Sequence, residues 1–321
     1  MATAEVKDLE HQNRPTVALY DTAEISTVAA DSAFAGSLGA KDTTKARVTT
    51  RSKLSKDFLL VGWNDASIWK SAFIEMVATM CLCYLSGIID VTFANITNPN
   101  AIPAYVGISN TVLLSLFIYS SSPASGGHIN PVLSFSTLLA GLTPLPRAVL
   151  YMIGQLSGAA VAGGLLRGSL GHDLTIKYHG GGCIHDTDLI SSGQAFIIEF
   201  MSTFVLLFLA FGIGLDPRQA RLFGLNGPLL VGLSLGLVTF AGSNIAPGYT
   251  GAAMNPARCF AFAVASSNFE GMLQAINLAK TMVELTISPP DQWIWWFGPA
   301  VGCVLSATLY SIVPPYHVIA K

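Results

Sequence analysis

Six apolar stretches, each about 20 residues long, divide most of this chain into membrane-sized segments. A helix of that length crosses the roughly 30 Å hydrocarbon layer of a bilayer. Because backbone polar groups cannot stay unpaired in lipid, each stretch is predicted to be a transmembrane helix. The predicted spans are residues 69–90, 102–121, 146–168, 194–214, 227–246 and 293–314.

The amino-acid composition favours the same class of protein. Hydrophobic residues make up 51% of the 321 residues and charged residues only 11%, against roughly 25% charged residues in soluble chains. This composition excludes a disordered chain, a coiled coil and most soluble enzymes. The net charge of −2 gives no bulk attraction to polyanions. The lipid bilayer is therefore the expected environment, and no nucleic-acid partner is predicted.

The polar ends of the chain suggest how it sits in the membrane. Residues 1–66 are predicted to be a disordered tail, and its basic part, just before the first span, favours a cytoplasmic N-terminus. Six spans return the short tail 316–321 to the same side, and a plasma-membrane location is expected. Asn95 begins an N-glycosylation sequon in a loop that would lie outside. Residues 267–292 are predicted to form a surface helix, with a lid as the alternative.

The membrane domain, residues 67–315, contains an internal repeat. The segment Ser-Gly-Gly-His-Ile-Asn-Pro-Val that ends at Val132 is matched by Thr-Gly-Ala-Ala-Met-Asn-Pro-Ala ending at Ala257. Glu75 and Glu199 close a second pair of matching segments. Each copy holds three spans, so the second copy enters from the opposite side, and such inverted repeats place a shared site near the midplane. The copies cover about residues 67–168 and 194–315.

Each repeated Asn-Pro pair precedes a short apolar run, from Pro131 to Gly141 and from Pro256 to Ser266. About ten residues make a helix of about 15 Å, half of the hydrocarbon layer, so neither run can span it. Proline suits the first helical turn and asparagine is a good N-cap, so each run is predicted to be a half-helix that begins near mid-membrane. Irregular backbone at that depth must line a water-filled cavity. The sequence therefore predicts a narrow pore with asparagine amides as central donors.

The two boxes, Asn130-Pro131-Val132 and Asn255-Pro256-Ala257-Arg258, together with Trp-Trp-Phe-Gly-Pro at 295–299, resemble the aquaporin superfamily, or major intrinsic proteins, over about residues 68–314. The Asn-Pro-Val and Asn-Pro-Ala-Arg-Cys boxes and a Gly-Gly-Cys loop resemble in particular the X-intrinsic proteins of fungi and plants. The resemblance implies an all-α membrane protein: a right-handed bundle of six transmembrane helices with two re-entrant half-helices, assembled as a homotetramer. It implies a channel rather than an enzyme, and no cofactor or metal is predicted.

The resemblance also implies an outer constriction in the pore. The family places Arg258 there as a cation barrier and as a donor to solute oxygens. Family spacing adds Asn110 and Ala252. The fifth-span position is assigned to Thr239, with Val238 and Ser243 as alternatives because the following segment is longer than usual.

These gate residues are small or polar, whereas strict water channels carry an aromatic residue and a histidine at this constriction. We therefore expect a passive channel for small uncharged solutes: hydrogen peroxide, glycerol, urea, boric acid and, to some extent, water. The alternatives are a channel mainly for water and a secondary active transporter, which also uses inverted repeats and broken helices. Val132 stands where the family usually has alanine, which leaves the local pore width open.

Other polar residues of the membrane domain have structural or regulatory interpretations. An ionised glutamate within a span needs partners, and the resemblance implies that Glu75 and Glu199 accept hydrogen bonds from the re-entrant loops. His128 either braces its loop or gates the pore with pH. Cys183 and Cys259 fall on the outer side, where they could form a disulfide, bind a metal with nearby histidines or remain unpaired.

Overall fold

The computed structural model of the chain describes residues 56–95, 98–216, 223–243, 245, 249–266 and 292–312. The predicted tails up to residue 55 and at 316–321 lie outside the described residues, as does the predicted surface helix up to residue 291. The last part of the predicted N-terminal tail is described, and it contains a short helix, α1 (Lys56–Leu60). The predicted disorder therefore does not extend to residue 66.

Six helices in the described part are long and apolar enough to cross a membrane, which confirms the six predicted spans. Most run past the predicted bounds, because helices continue beyond the hydrocarbon layer. The six are α2 (Ala66–Ala94), α3 (Ile102–Ser125), α5 (Leu145–Lys177), α6 (Ser192–Ala210, continued by a π-helical turn at Phe211–Leu215), α7 (Gly227–Gly242) and α9 (Ile294–Ile312).

Two short helices lie between these spans, α4 (Pro131–Ala140) and α8 (Pro256–Ser266). Each begins at the proline of an Asn-Pro pair. The Oδ1 of Asn130 accepts a hydrogen bond of 2.9 Å from the backbone N–H of Val132, and the Oδ1 of Asn255 accepts one of 3.0 Å from that of Ala257. The asparagines are thus N-caps, and α4 and α8 are the two predicted half-helices.

Matching glycine contacts show that the repeat in the sequence is also a repeat in packing. A side chain at Gly158 on α5 would lie 2.1 Å from the carbonyl oxygen of Met76 on α2. In the second copy, a side chain at Gly302 on α9 would lie 3.0 Å from the carbonyl oxygen of Phe200 on α6. Glycine lets each helix pair approach backbone to backbone, as in other membrane bundles.

The half-helices fill the centre of the bundle. The described residues of α4 pack on α9, and those of α8 pack on α5. Large side chains such as Phe262 and Trp295 are fully buried among them. Large apolar side chains also cover the outer surface of the bundle, for example Ile108 and Phe208, which is the pattern expected where a surface meets lipid rather than water.

Candidate functional site

The two half-helices meet at their N-termini. The Nδ2 of Asn130 donates a hydrogen bond of 3.0 Å to the carbonyl oxygen of Met254, the residue before the second box. The Nδ2 of Asn255 donates one of 3.4 Å to the carbonyl oxygen of Ile129, the residue before the first box. Each asparagine therefore binds the loop that carries the other, and the positive ends of both helices lie at one place.

A small cavity of about 40 Å³ lies beside this junction. That space holds about three waters. Leucine, valine and alanine side chains form the apolar part of its wall. The polar side chains that line it are Ser86, Asn110, Asn130, Thr239, Asn255 and Arg258.

Three of the four residues predicted for the constriction come together around this cavity. Asn110 on α3, Thr239 on α7 and Arg258 on α8 all line it. The alternatives for the fifth span lie elsewhere: Val238 packs in an apolar cluster, and Ser243 is the C-cap of α7. The structure thus favours Thr239 at the position that sequence spacing left open.

The placement of Ala252 differs from that of the other three residues predicted for the constriction. Its side chain is fully buried, and it occupies the space into which a side chain at Gly242 would project. It packs with Leu206, Val238 and Met254 rather than lining the cavity. The reason is the loop backbone, which takes up left-handed φ angles of 56° at Ala252 and 51° at Met254. The Ala252 side chain therefore does not line the described cavity, and a place for this residue at the constriction stays a prediction.

Two residues near the first box also face the protein interior. Val132 belongs to the main apolar core and is 3% exposed, so its extra bulk does not narrow the described cavity. His128 is buried, with its Nδ1 3.0 Å from the Oγ of Ser134 and its ring edge-on to Tyr151. This placement suits a histidine that braces the loop.

Glu75 holds the first re-entrant loop through both carboxylate oxygens. Its Oε1 accepts hydrogen bonds from the backbone N–H of His128, at 2.9 Å, and from the hydroxyl of Ser125, at 2.6 Å. Its Oε2 accepts from the backbone N–H of Ile129, at 2.6 Å, and from the Nε2 of Gln155, at 2.9 Å. The carboxylate thus supplies acceptors that the loop backbone lacks in a water-poor interior.

Glu199 makes the equivalent contacts in the second copy. Its Oε1 accepts from the backbone N–H of Ala253 at 2.9 Å, and its Oε2 accepts from that of Met254 at 3.0 Å. Both glutamates are fully buried. Because they are bound to the loops and do not line the described cavity, their geometry fits a structural role better than a proton relay.

Arg258 is held by residues that the sequence analysis did not identify. Its Nε donates a hydrogen bond of 2.7 Å to the Oγ of Ser86, and its Nη2 forms an ion pair with the Oδ2 of Asp90. Its guanidinium also lies 4.9 Å from the ring centre of Phe262. The sequence signal that could have identified this contact is Asp90 itself, because an aspartate near the end of an apolar membrane helix needs a partner.

The two cysteines predicted to lie on the outer side are joined in the structure. Cys183 and Cys259 form a disulfide whose Cα atoms are 5.4 Å apart. Among the described residues no group of histidines, cysteines and acids could hold a metal ion, and His185 lies instead 6.0 Å from the ring of Trp295. Cys259 directly follows Arg258, so the disulfide anchors the start of α8 to the loop between α5 and α6.

Asn95, the predicted glycosylation site, is exposed at the end of α2. Its Nδ2 donates to the carbonyl oxygen of Val91 at 2.7 Å, and its Oδ1 accepts from the hydroxyl of Tyr178 at 2.8 Å. The other two residues of the sequon lie outside the described residues. Glycosylation of Asn95 stays a prediction.

Comparison with known proteins now identifies the family. The model of the family described as major intrinsic protein matches residues 62–310. The chain belongs to this family. A probable aquaporin, PIP2-8 of Arabidopsis thaliana, is 30% identical over 249 residues, which cover 77% of this chain and 82% of the relative. A PIP-type aquaporin of Atriplex canescens is also 30% identical, over 77% of this chain and 81% of its own length.

A solved structure supports the fold. The X-ray structure of the aquaglyceroporin from Plasmodium falciparum matches 77% of this chain and 96% of its own chain, with a TM-score of 0.57. The two sequences are 20% identical, so this likeness bears on the fold alone. The chain is therefore a multi-pass membrane protein with the aquaporin fold and belongs to a family of membrane channels.

Proposed function

We propose that this protein is a passive channel for small uncharged solutes, namely hydrogen peroxide, glycerol, urea and boric acid, and to some extent water. The lining of the central cavity carries the proposal. Asn110 and Thr239 face it together with Arg258, and none of the described residues that line it is aromatic or a histidine. Amide, hydroxyl and guanidinium groups can replace the hydrogen bonds that a solute hydroxyl or amide leaves behind in water.

The exclusion of protons and cations follows from the centre of the site. The N-termini of α4 and α8 each contribute about half a positive charge where Asn130 and Asn255 meet. A cation that reaches this point loses hydration and meets a positive potential, whereas a neutral solute meets amide donors. Arg258 adds a donor on the outer side.

The finer classification and the assembly are also proposals. The Gly-Gly-Cys loop and the Asn-Pro-Ala-Arg-Cys box support membership of the X-intrinsic subfamily, whose motifs they resemble. The relatives of this chain in the comparison include proteins named as PIP-type aquaporins. A homotetramer within the bilayer is proposed from membership of the major intrinsic protein family. Lysine and arginine before the first span support cytoplasmic termini, and a plasma-membrane location is part of the same proposal.

A channel mainly for water is the second candidate. The cavity volume of about 40 Å³ holds about three waters, which suits water better than glycerol. Relatives in the comparison are named as aquaporins. On this alternative, water would pass readily and glycerol would not.

Stopped-flow light scattering on proteoliposomes tests the proposal. Vesicles with the protein should take up water, glycerol, urea and peroxide faster than empty vesicles. The Asn110→Phe variant should lose most glycerol flux and keep water flux, since the added ring narrows the cavity. The matched control is Ile108→Phe, at an exposed apolar position of the same helix. Wild-type vesicles that pass water but no solute would support the second candidate and contradict the first.

A further inference from the structure

Asp90 is an acidic residue within the first transmembrane helix, and it does not line the described cavity. It lies near the outer end of α2, with its side chain 18% exposed. It follows Glu75 and Ser86 along the buried face of that helix. Glu75 is satisfied by a re-entrant loop, but Asp90 has a different partner, the guanidinium of Arg258.

The contacts of Arg258 all draw its guanidinium toward one wall of the cavity. Asp90 binds its Nη2, and Ser86, one turn earlier on α2, accepts from its Nε at 2.7 Å. The Ser86 hydroxyl in turn donates to the Oδ2 of Asp90 at 3.4 Å. The ring of Phe262, on the arginine's own helix, lies 4.9 Å away. The arginine therefore has carboxylate, hydroxyl and aromatic partners on the side of α2 and α8.

The cavity itself offers the space into which a released arginine would move. Asn110 and Thr239 line it from α3 and α7. A guanidinium within a membrane domain must keep acceptors or water around it. Without the carboxylate, the nearest water and acceptors are those of the cavity itself.

We propose that Asp90 is a positioning residue that sets the solute selectivity of this channel by holding Arg258 against α2. The inference rests on the proposed function, because it concerns the width of the same cavity. The ion pair keeps the guanidinium at the wall, where its remaining N–H groups can still donate to a passing solute. It also offsets the arginine's charge, so a neutral solute does not have to compete with a hydrated cation for the space.

A double-mutant cycle tests this inference by the ratio of glycerol to water permeability in proteoliposomes. Asp90→Ala should lower the ratio by about fivefold or more, within the range of directly coupled residues. Asp90→Asn, which keeps an oxygen acceptor, should lower it less. Asp90→Ala combined with Arg258→Ala should match Arg258→Ala alone, because no guanidinium is left to enter the cavity. Asp173→Asn, an exposed acid on the same side, is the control for lost charge.

The ratio separates positioning from a merely structural role. If the role of Asp90 were merely structural, Asp90→Ala would lose water and glycerol flux together. An unchanged ratio of glycerol to water permeability in Asp90→Ala would therefore overturn the inference. An additive double variant also overturns it.

A cryo-electron microscopy structure of Asp90→Ala tests the same claim without a flux measurement. The inference predicts a guanidinium that has left Ser86 and lies in the cavity; one that still contacts Ser86 contradicts it. A wild-type protein that conducts no solute would contradict the proposed function, while this structure would still decide the inference.

Discussion

Removal of the Glu75 carboxylate should destabilise the protein strongly. In Glu75→Ala the backbone N–H groups of His128 and Ile129 lose their acceptor in a buried loop. Each unsatisfied buried donor costs about 1–3 kcal/mol, so the two together cost about 2–6 kcal/mol. For a domain of this size, 1 kcal/mol shifts the melting temperature by about 2–4 °C, so a fall of about 10 °C is expected.

The assay is thermal unfolding of the purified protein in a mild detergent, followed by the loss of the folded elution peak. Glu75→Gln keeps one oxygen acceptor and should lose about half as much stability as Glu75→Ala. Asp188→Asn, at an exposed loop acid, should leave the melting temperature unchanged. The assignment of Glu75 as the acceptor for the loop would be refuted if Glu75→Ala melted at the same temperature as the wild type. It would also be refuted if Glu75→Gln melted at a lower temperature than Glu75→Ala.

Two further changes probe packing and cross-linking. Gly158→Ala should cost about 1–3 kcal/mol, because its Cβ would lie 2.1 Å from a carbonyl oxygen of α2; Gly164→Ala, where nothing lies within 4 Å, should be neutral or slightly stabilising in the same thermal assay. Cys259→Ser should cost about 2–4 kcal/mol through loss of the disulfide. A reductant should lower the melting temperature of the wild type to that of Cys259→Ser and should not change the melting temperature of Cys259→Ser. If both proteins melted at the same temperature without reductant, the disulfide would not contribute to stability.

The local parts of the architecture could be predicted from sequence because each has a local cause. Asn130 and Asn255 precede prolines and short apolar runs, and that pattern alone predicts a capped helix too short to span a bilayer. The apolar stretch of the third span ends near polar Arg167 and so predicted an end at residue 168, whereas α5 extends to Lys177. The helical backbone breaks soon after that point, at Gly171, where φ is 76°. Arg167 binds the short helical segment that follows and the end of α8: its Nη1 donates to Thr175 and to the carbonyl of Ala265, each at 3.1 Å.

The parts of the site that depend on distant contacts could not be predicted in this way. Asp90 and Arg258 lie in different copies of the repeat, and no spacing rule joins them. Ala252 has the expected place in the chain, but the left-handed backbone of its loop turns its side chain into the core. Thr239 lines the cavity although the longer segment after it left three candidates open.

The central claim is that solutes cross passively, through the point where Asn130 and Asn255 meet. The most direct measurement is the initial rate of glycerol uptake into proteoliposomes as the glycerol gradient is raised, with and without a protonophore. A pore predicts a rate that rises linearly with the gradient and does not respond to the protonophore. A rate that saturates, or that collapses when the proton gradient is removed, would contradict a passive channel and indicate a transporter.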